Sequence, residues 1–241
     1  MKLSVIIPMY NEEPVIGRTA SELTSFLDSF LPGDYEVLFV NDGSTDRSAE
    51  VITEYAESHP AVRLVSYSPN RGKGSAVRTG MLAAQGDIRM FTDADLAYGT
   101  EVIGKFVSAF EEEADAKAAV GTRTAGGGGY GDYSLLRKIA SSIFLKILAA
   151  AGKLPVSDSQ CGCKAFVADA ADSIFRECAT DGYAFDFEVL LRAEKKGLKI
   201  VEVPVTILRH GDSKVRVVRD SIKMLRDVRK IRKKVYGADQ K

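Results

Sequence analysis

Short apolar runs alternate with longer segments of helical period along the first half of the chain. "LSVIIP", beginning at Leu3, reads as a fully buried strand. "PVIGRTASELTSFLDSF" follows with apolar residues at helical spacing and Pro14 in the first turn. "YEVLFVND" is a second strand, and it leads through the turn "DGSTD" into the helix "RSAEVITEYAESH". "VRLVSYS" is a third, followed by the helix "GSAVRTGMLAAQG", which Gly86 is expected to close. "IRMFTD" is a fourth, "EVIGKFVSAFEEE" its helix, and "KAAVGTR" a fifth strand. Strands that are apolar throughout rather than alternating, each joined to the next by a helix, predict an α/β fold. Its mainly parallel sheet is covered on both faces.

The second half is less regular. "TAGGGGYGDY" reads as a loop in which Gly126 to Gly129 carry no side-chain constraint, with a helix after it through Ile139. "SDSQCGCKAF" suggests no element, a helix lies near "ADSIF", and "AFDFEVLLRAEKKG" is another. "LKIVEVPV" is a last strand, and Val215 to Tyr236 form a basic amphipathic helix. With no repeat and no linker, residues 1–208 are expected to form one catalytic-type domain. Residues 209–241 are then a basic carboxyl-terminal segment, part of that domain or in contact with a membrane surface.

Composition narrows the class. A chain of 241 residues with 45% hydrophobic and 27% charged residues folds as a globule rather than remaining disordered. Lys and Arg balance Asp and Glu at a net charge of zero, so nucleic acid is not an expected partner. The basic residues crowd together after Arg209, which points to a local anionic partner. Three cysteines and no signal-like amino terminus favour a reducing cytosol. No apolar run reaches the roughly 18 residues that span a bilayer. The nearest, "IASSIFLKILAAAG", is interrupted by Lys146.

Ligands of parallel sheets bind beyond the carboxyl ends of the strands. Those ends carry Pro8, Tyr10, Asn11 and Glu12, then Asn41 to Ser44, Asn70 to Lys73, Asp93 with Asp95, and Arg123. A purely structural edge needs turn residues but not this much acid and base, so a ligand site is expected. In "RMFTDADLAYG" two aspartates flank the single residue Ala94. Such neighbours repel unless they lie on a solvated turn or hold a cation. On a strand, residues two apart point the same way, so both carboxylates would address one point. Hard oxygens of this kind suit Mg²⁺ or Mn²⁺, which take further ligands from water and phosphate. Asp42 either accepts hydrogen bonds from a nucleobase edge or caps the helix after Thr45, a task open also to Ser44 and Asp46. "NRGKGSAVRTG" places glycines and a lysine at a helix start, but its spacing excludes a Walker loop. Lys73 is left as a diphosphate contact or a solvated loop residue. Cys161 and Cys163 lack the partners of a zinc site, His59 reads as structural, and His210 is either a phosphate contact or a surface residue. Val215, Val218, Ile222, Leu225, Val228 and Ile231 line one face of the basic tail. Such a helix either lies on an anionic membrane or docks on the domain with its basic face solvated.

Taken in order, "SVIIPMYNEE", "VLFVNDGSTD", "NRGKGSAVRTG", "FTDADL" and "GTR" resemble the glycosyltransferases of family 2, whose GT-A fold is Rossmann-like. "DSQCGCKAF", "GYAFDFEVLLRAEKKGLKIVEVPV" and "GDSKV" are similar to the branch that glycosylates dolichyl or polyprenyl phosphate, and the likeness covers nearly the whole chain. It implies an inverting transfer of a hexose from a nucleotide sugar to a lipid phosphate, with Mg²⁺ or Mn²⁺ as cofactor. Asp93 and Asp95 match the metal motif, and Asp95, Arg123 and Gln160 the catalytic positions. Pro8, Tyr10, Asn11, Glu12, Asp42, Lys73, Asp93 and Ala94 match the nucleotide-sugar site, and Arg137, Ser213 and Lys214 the lipid-phosphate site.

Mannose-transferring relatives often carry glutamine two places beyond the second aspartate, where this chain has Ala97. "QCGCKAF" is close to the "QCGFKLF" of the glucosyl branch. Both features favour UDP-glucose over GDP-mannose as donor. A family-2 enzyme that extends a glycan would instead need a base, for which Asp158 and Asp186 are placed, and a non-catalytic nucleotide-sugar-binding subunit would need no turnover. Lacking the carboxyl-terminal spans of some relatives, the protein is expected in the cytoplasm, peripheral at the cytoplasmic membrane face.

Overall fold

The computed structural model describes residues 2–123, 154–209 and 217–237. The strands are β1 Leu3–Met9, β2 Tyr35–Asp42, β3 Val62–Tyr67, β4 Ile88–Phe91, β5 Ala118–Thr122, β6 Lys164–Val167 and β7 Ile200–Pro204. The helices are α1 Glu13–Phe30, α2 Ser48–Glu57, α3 Lys73–Ala83, α4 Val102–Glu112, α5 Ala168–Phe175, α6 Phe185–Lys195 and α7 Val217–Tyr236.

The strands form one sheet in the order β3-β2-β1-β4-β6-β5-β7. β1 pairs parallel with β2 and β4, β2 with β3, and β5 with β7. β6 runs antiparallel to both of its neighbours. The mainly parallel sheet predicted from the apolar runs is therefore present, with one reversed strand that the sequence pattern misses. "KAFV" is too short to register as a run of its own. Two reversals cancel, so β5 runs in the direction of β4, and Arg123 emerges at the same edge as the aspartates.

Alternation of side chains within β1 shows how the two layers form. Leu3, Val5, Ile7 and Met9 pack with Ile16, Leu23 and Leu27 of α1, Ile52 of α2 and Phe106 of α4. Ile6, on the other face, joins Val77 and Met81 of α3, Ile174 of α5 and Val189 of α6. A third cluster joins Val228, Ile231 and Val235 of α7 to Leu190 and Leu191 of α6. Of the two readings of the tail, the docked one describes this part: its apolar residues face the domain, and Arg226, Arg229, Lys230, Arg232, Lys233 and Lys234 are exposed.

Several boundaries differ from expectation. α3 ends at Ala83, so Gly86 does not close it. Its N–H donates to the Ser4 hydroxyl, and an added Cβ would lie 2.7 Å from the Ser4 backbone nitrogen. Close packing of chain on chain, rather than helix termination, requires this glycine. The glycine-rich loop, the helix through Ile139, His210 and the expected phosphate ligands Arg137, Ser213 and Lys214 lie outside the described residues.

Candidate active site

β4 stops at Phe91, and the chain turns immediately afterwards. The Leu96 N–H donates to the Asp93 carbonyl at 3.1 Å, so the two aspartates share a turn rather than a strand. Strand alternation is thus not what aims them. Leu96 sits at φ 48°, a left-handed conformation that bulky residues seldom adopt, with its side chain in the core. The Thr19 hydroxyl of α1 donates to the Ala94 carbonyl, and Asp95 Oδ1 accepts the Ala97 N–H at 3.0 Å. Backbone strain held from several sides in this way clusters at functional sites.

Lys73, the first residue of α3, forms an ion pair with Asp93. Burial disfavours its ammonium, but Asp93 and Asp186 outweigh burial and push its pKa up. Asp95 has no comparable partner: burial, and then the charge of Asp93, push its carboxyl above the ordinary value. A carboxylate short of positive charge beside a second carboxylate is a fit for a divalent cation. Among the described residues no group of three His, Cys, Asp or Glu is placed to hold a metal. Asp93 and Asp95 would therefore hold Mg²⁺ or Mn²⁺ with most positions left to water and phosphate oxygens, as Mg²⁺ sites commonly do.

The segment before β6 closes over this turn. An added Cβ on Gly162 would lie 2.2 Å from Asp93 Oδ2, so only glycine allows the approach. Gln160, two residues earlier, has a buried Nε2 with no hydrogen-bond partner among the described residues. Arg123, at the end of β5, is bidentate to the fully buried Asp158, with Nε to Oδ2 at 2.6 Å and Nη2 to Oδ1 at 2.8 Å. Asp186 is paired with the fully buried Lys164. Burial pushes the Cys161 and Cys163 thiols up, away from the thiolate form that zinc requires.

The remaining strand ends are tied to one another. Pro8 is buried within β1 opposite Val40, and Tyr10 beyond it is exposed. Asn11 accepts the Thr45 N–H at 2.8 Å and the Glu12 N–H donates to Ser48 at 2.9 Å, which joins the first strand end to the second. Asp42 does not cap α2. Its carboxylate accepts the N–H groups of Arg71 and Gly72, each at 2.8 Å, and Asp46 serves the start of α2 instead. Asp42 thereby shapes the loop that delivers Lys73. The amino terminus of α3 is not a phosphate cradle, because the Asp181 carbonyl accepts the Gly74 N–H at 2.8 Å.

Glu12, Lys73 and Asp93 each lie within electrostatic reach of Asp95, and Tyr98 lies within reach of Asp93, Arg123 and Cys161. Sequence reading missed Tyr98 and Arg209. The Arg209 N–H donates to the Ala97 carbonyl at 3.2 Å, and its guanidinium meets Glu22 at 2.7 Å. Its basic neighbourhood was visible in the sequence, but its approach to the aspartate turn was not.

The family model for glycosyl transferase family 2 matches residues 4–175. The chain belongs to glycosyltransferase family 2. Among similar family members is a dolichyl-phosphate beta-glucosyltransferase from Trichomonas vaginalis. It is 32% identical over 220 residues, covering 88% of this chain and 65% of that protein. A dolichol-phosphate mannosyltransferase from Pyrococcus furiosus is 33% identical over 221 residues, covering 90% of this chain and 60% of that protein. The chain thus spans less than two thirds of the length of either. Glucosyl-3-phosphoglycerate synthase from Mycobacterium tuberculosis, crystallised with Mn²⁺ and UDP-glucose, superposes with a TM-score of 0.72 at 18% identity. That alignment covers 97% of this chain and 79% of the synthase, and it shows the shared GT-A fold. Among the described residues of this glycosyltransferase no helix is long and apolar enough to cross a membrane.

Proposed function

We propose that this glycosyltransferase moves glucose, with inversion, from UDP-glucose to the phosphate of a dolichyl or polyprenyl phosphate. The observation that carries the reading is the convergence of Asp93, Asp95, Gln160 and Arg123 at one sheet edge, with Asp158 already paired to Arg123 and Asp186 to the buried Lys164. A sugar hydroxyl would need a free carboxylate as base. A phosphate monoester has its second pKa at about 6, so its oxygen is largely ionised at neutral pH and needs little proton removal. Such a nucleophile requires cations that bring two anionic substrates together in the right orientation.

Asp93 and Asp95 would hold the divalent ion, which when bound would supply positive charge to the departing diphosphate. Lys73 neutralises Asp93 in the free protein and turns to the diphosphate when the donor enters. Pro8, Tyr10, Asn11, Glu12 and Asp42 surround the base and ribose, and Ala94 lies under the sugar diphosphate. Arg123 and Gln160 orient the reacting phosphates and sugar, with Arg137, Ser213 and Lys214 on the acceptor phosphate. Ala97, in place of a glutamine ligand, and the glucosyl-transferring relatives favour glucose over mannose.

Residues 209–241 meet the cytoplasmic face of a membrane. Because the apolar residues of the described part of α7 face the domain, that contact is electrostatic, through the exposed Lys and Arg residues. The protein is to be incubated with Mn²⁺, polyprenyl phosphate and labelled UDP-glucose or GDP-mannose. Label is expected in lipid from UDP-glucose. Transfer from GDP-mannose alone would reassign the donor, and no transfer from either by folded protein would sink the reading.

A further inference from the structure

We propose that Lys164 and Asp186 are positioning residues for the Asp93–Asp95 site, a role that rests on the metal-dependent reading above. The reversed strand β6 sets Lys164 opposite Phe91 in register, two residues before Asp93. The Lys164 ammonium is 0% exposed and lies 5.6 Å from the centre of the Phe91 ring. It donates to Asp186 and, at 2.7 Å, to the Cys161 carbonyl. Asp186 stands in the first turn of α6, where the helix dipole favours a carboxylate.

A buried ion pair of this kind stabilises a fold little, if at all, relative to apolar residues of the same volume. Its position offers another reason for it. The carbonyl it grips belongs to the residue before Gly162, whose missing side chain leaves just enough room for Asp93. At the other end of the same segment, Asp158 is held by Arg123 and accepts the Gln160 N–H at 3.3 Å. Two ion pairs, one buried and one half-buried on its arginine side, therefore pin residues 158–164 at both ends. Between them lie Gln160 and the surface that sets the Asp93 carboxylate. Partners of this outer kind fix how a metal ligand points and contribute to affinity without touching the ion.

The double variant Lys164→Met/Asp186→Leu removes the pair without changing the net charge, and Asp186→Asn, which removes only the charge that Asp186 presents to Lys73, controls for the field. Free Mn²⁺ is to be followed by electron paramagnetic resonance in the presence of UDP, beside a thermal melt of each protein. The double variant is expected to melt no lower than wild type yet bind Mn²⁺ at least about 10-fold more weakly. Asp186→Asn leaves Lys164 an oxygen to hold and is expected to stay within about threefold of wild type. Wild-type affinity in a folded double variant overturns the proposal. Should the double variant not fold, Gly162→Ala decides: it pushes on Asp93 from the same segment, and unchanged Mn²⁺ affinity there overturns the proposal equally. Weakened binding supports the role whether or not sugar reaches lipid, so failure of the transfer assay and failure of this proposal are separate results.

Discussion

In the proposed reaction the chemistry turns on Asp95, whose carboxylate burial and the neighbouring Asp93 leave short of positive charge. Asp95→Asn keeps the shape and the Ala97 hydrogen-bond acceptor while removing the charge. Its turnover is expected to fall about 10²- to 10³-fold, as when one preorganised electrostatic group is lost. The melting temperature should be unchanged or higher, and a steady-state assay beside a thermal melt checks both. Glycines supply a second test at this scale. Gly86→Ala would press a Cβ against the Ser4 and Lys2 backbone and is expected to cost about 2 kcal/mol. Gly182→Ala meets nothing within 4 Å and should stay within about 0.5 kcal/mol of wild type. Urea unfolding of the two proteins distinguishes these outcomes. Asp93, Asp95, Asp42 and Arg123 were readable from sequence because acids and bases at the ends of apolar strands stand out locally. Tyr98, Lys164 and Arg209 were not, since what recommends each is a partner remote in sequence.

At the scale of elements, the segment that covers the start of α3 is tied to α3 through Arg78 and to α6 through one carboxylate. Glu188 of α6 accepts the Ala179 and Thr180 N–H groups at 3.0 and 2.7 Å and meets Arg192 at 2.8 Å. Burial alone would raise its pKa, but these donors outweigh it and hold the group below the ordinary 4.5. A depressed folded-state pKa contributes stability that is present above the unfolded value and lost as pH falls through the folded one. Glu188→Gln is therefore expected to lose on the order of 2 kcal/mol at neutral pH. The difference from wild type should shrink as pH falls below 4.5, and melts across that range measure it. For α7 the expectation is association with anionic vesicles that disappears in high salt, and none with neutral ones. Reversing the charges of Arg229, Lys230 and Lys233 should abolish it in a flotation assay, whereas a helix inserted by its apolar face would float regardless. The helices were readable from their period, and so was the apolar stripe of this tail. Which surface that stripe covers was not, because the same stripe serves a domain or a bilayer.

Across the whole molecule, the order of apolar strands and amphipathic helices foretold a layered α/β fold with its site at one edge. What it could not show was the reversed β6, a four-residue strand flanked by longer neighbours whose pairing is set by tertiary contact. That strand completes the site, since it carries Lys164 and receives the segment with Gln160 and Gly162 beside the aspartates. One measurement decides whether this edge joins a nucleotide sugar to a lipid phosphate. Wild type and Asp95→Asn are each given Mn²⁺, labelled UDP-glucose and vesicles containing polyprenyl phosphate, and the label extracted with lipid is counted. Label in lipid that depends on Mn²⁺ and on Asp95 is the predicted result. Folded wild-type protein that binds UDP and Mn²⁺ yet puts no label into lipid rules out a lipid-phosphate acceptor for this site.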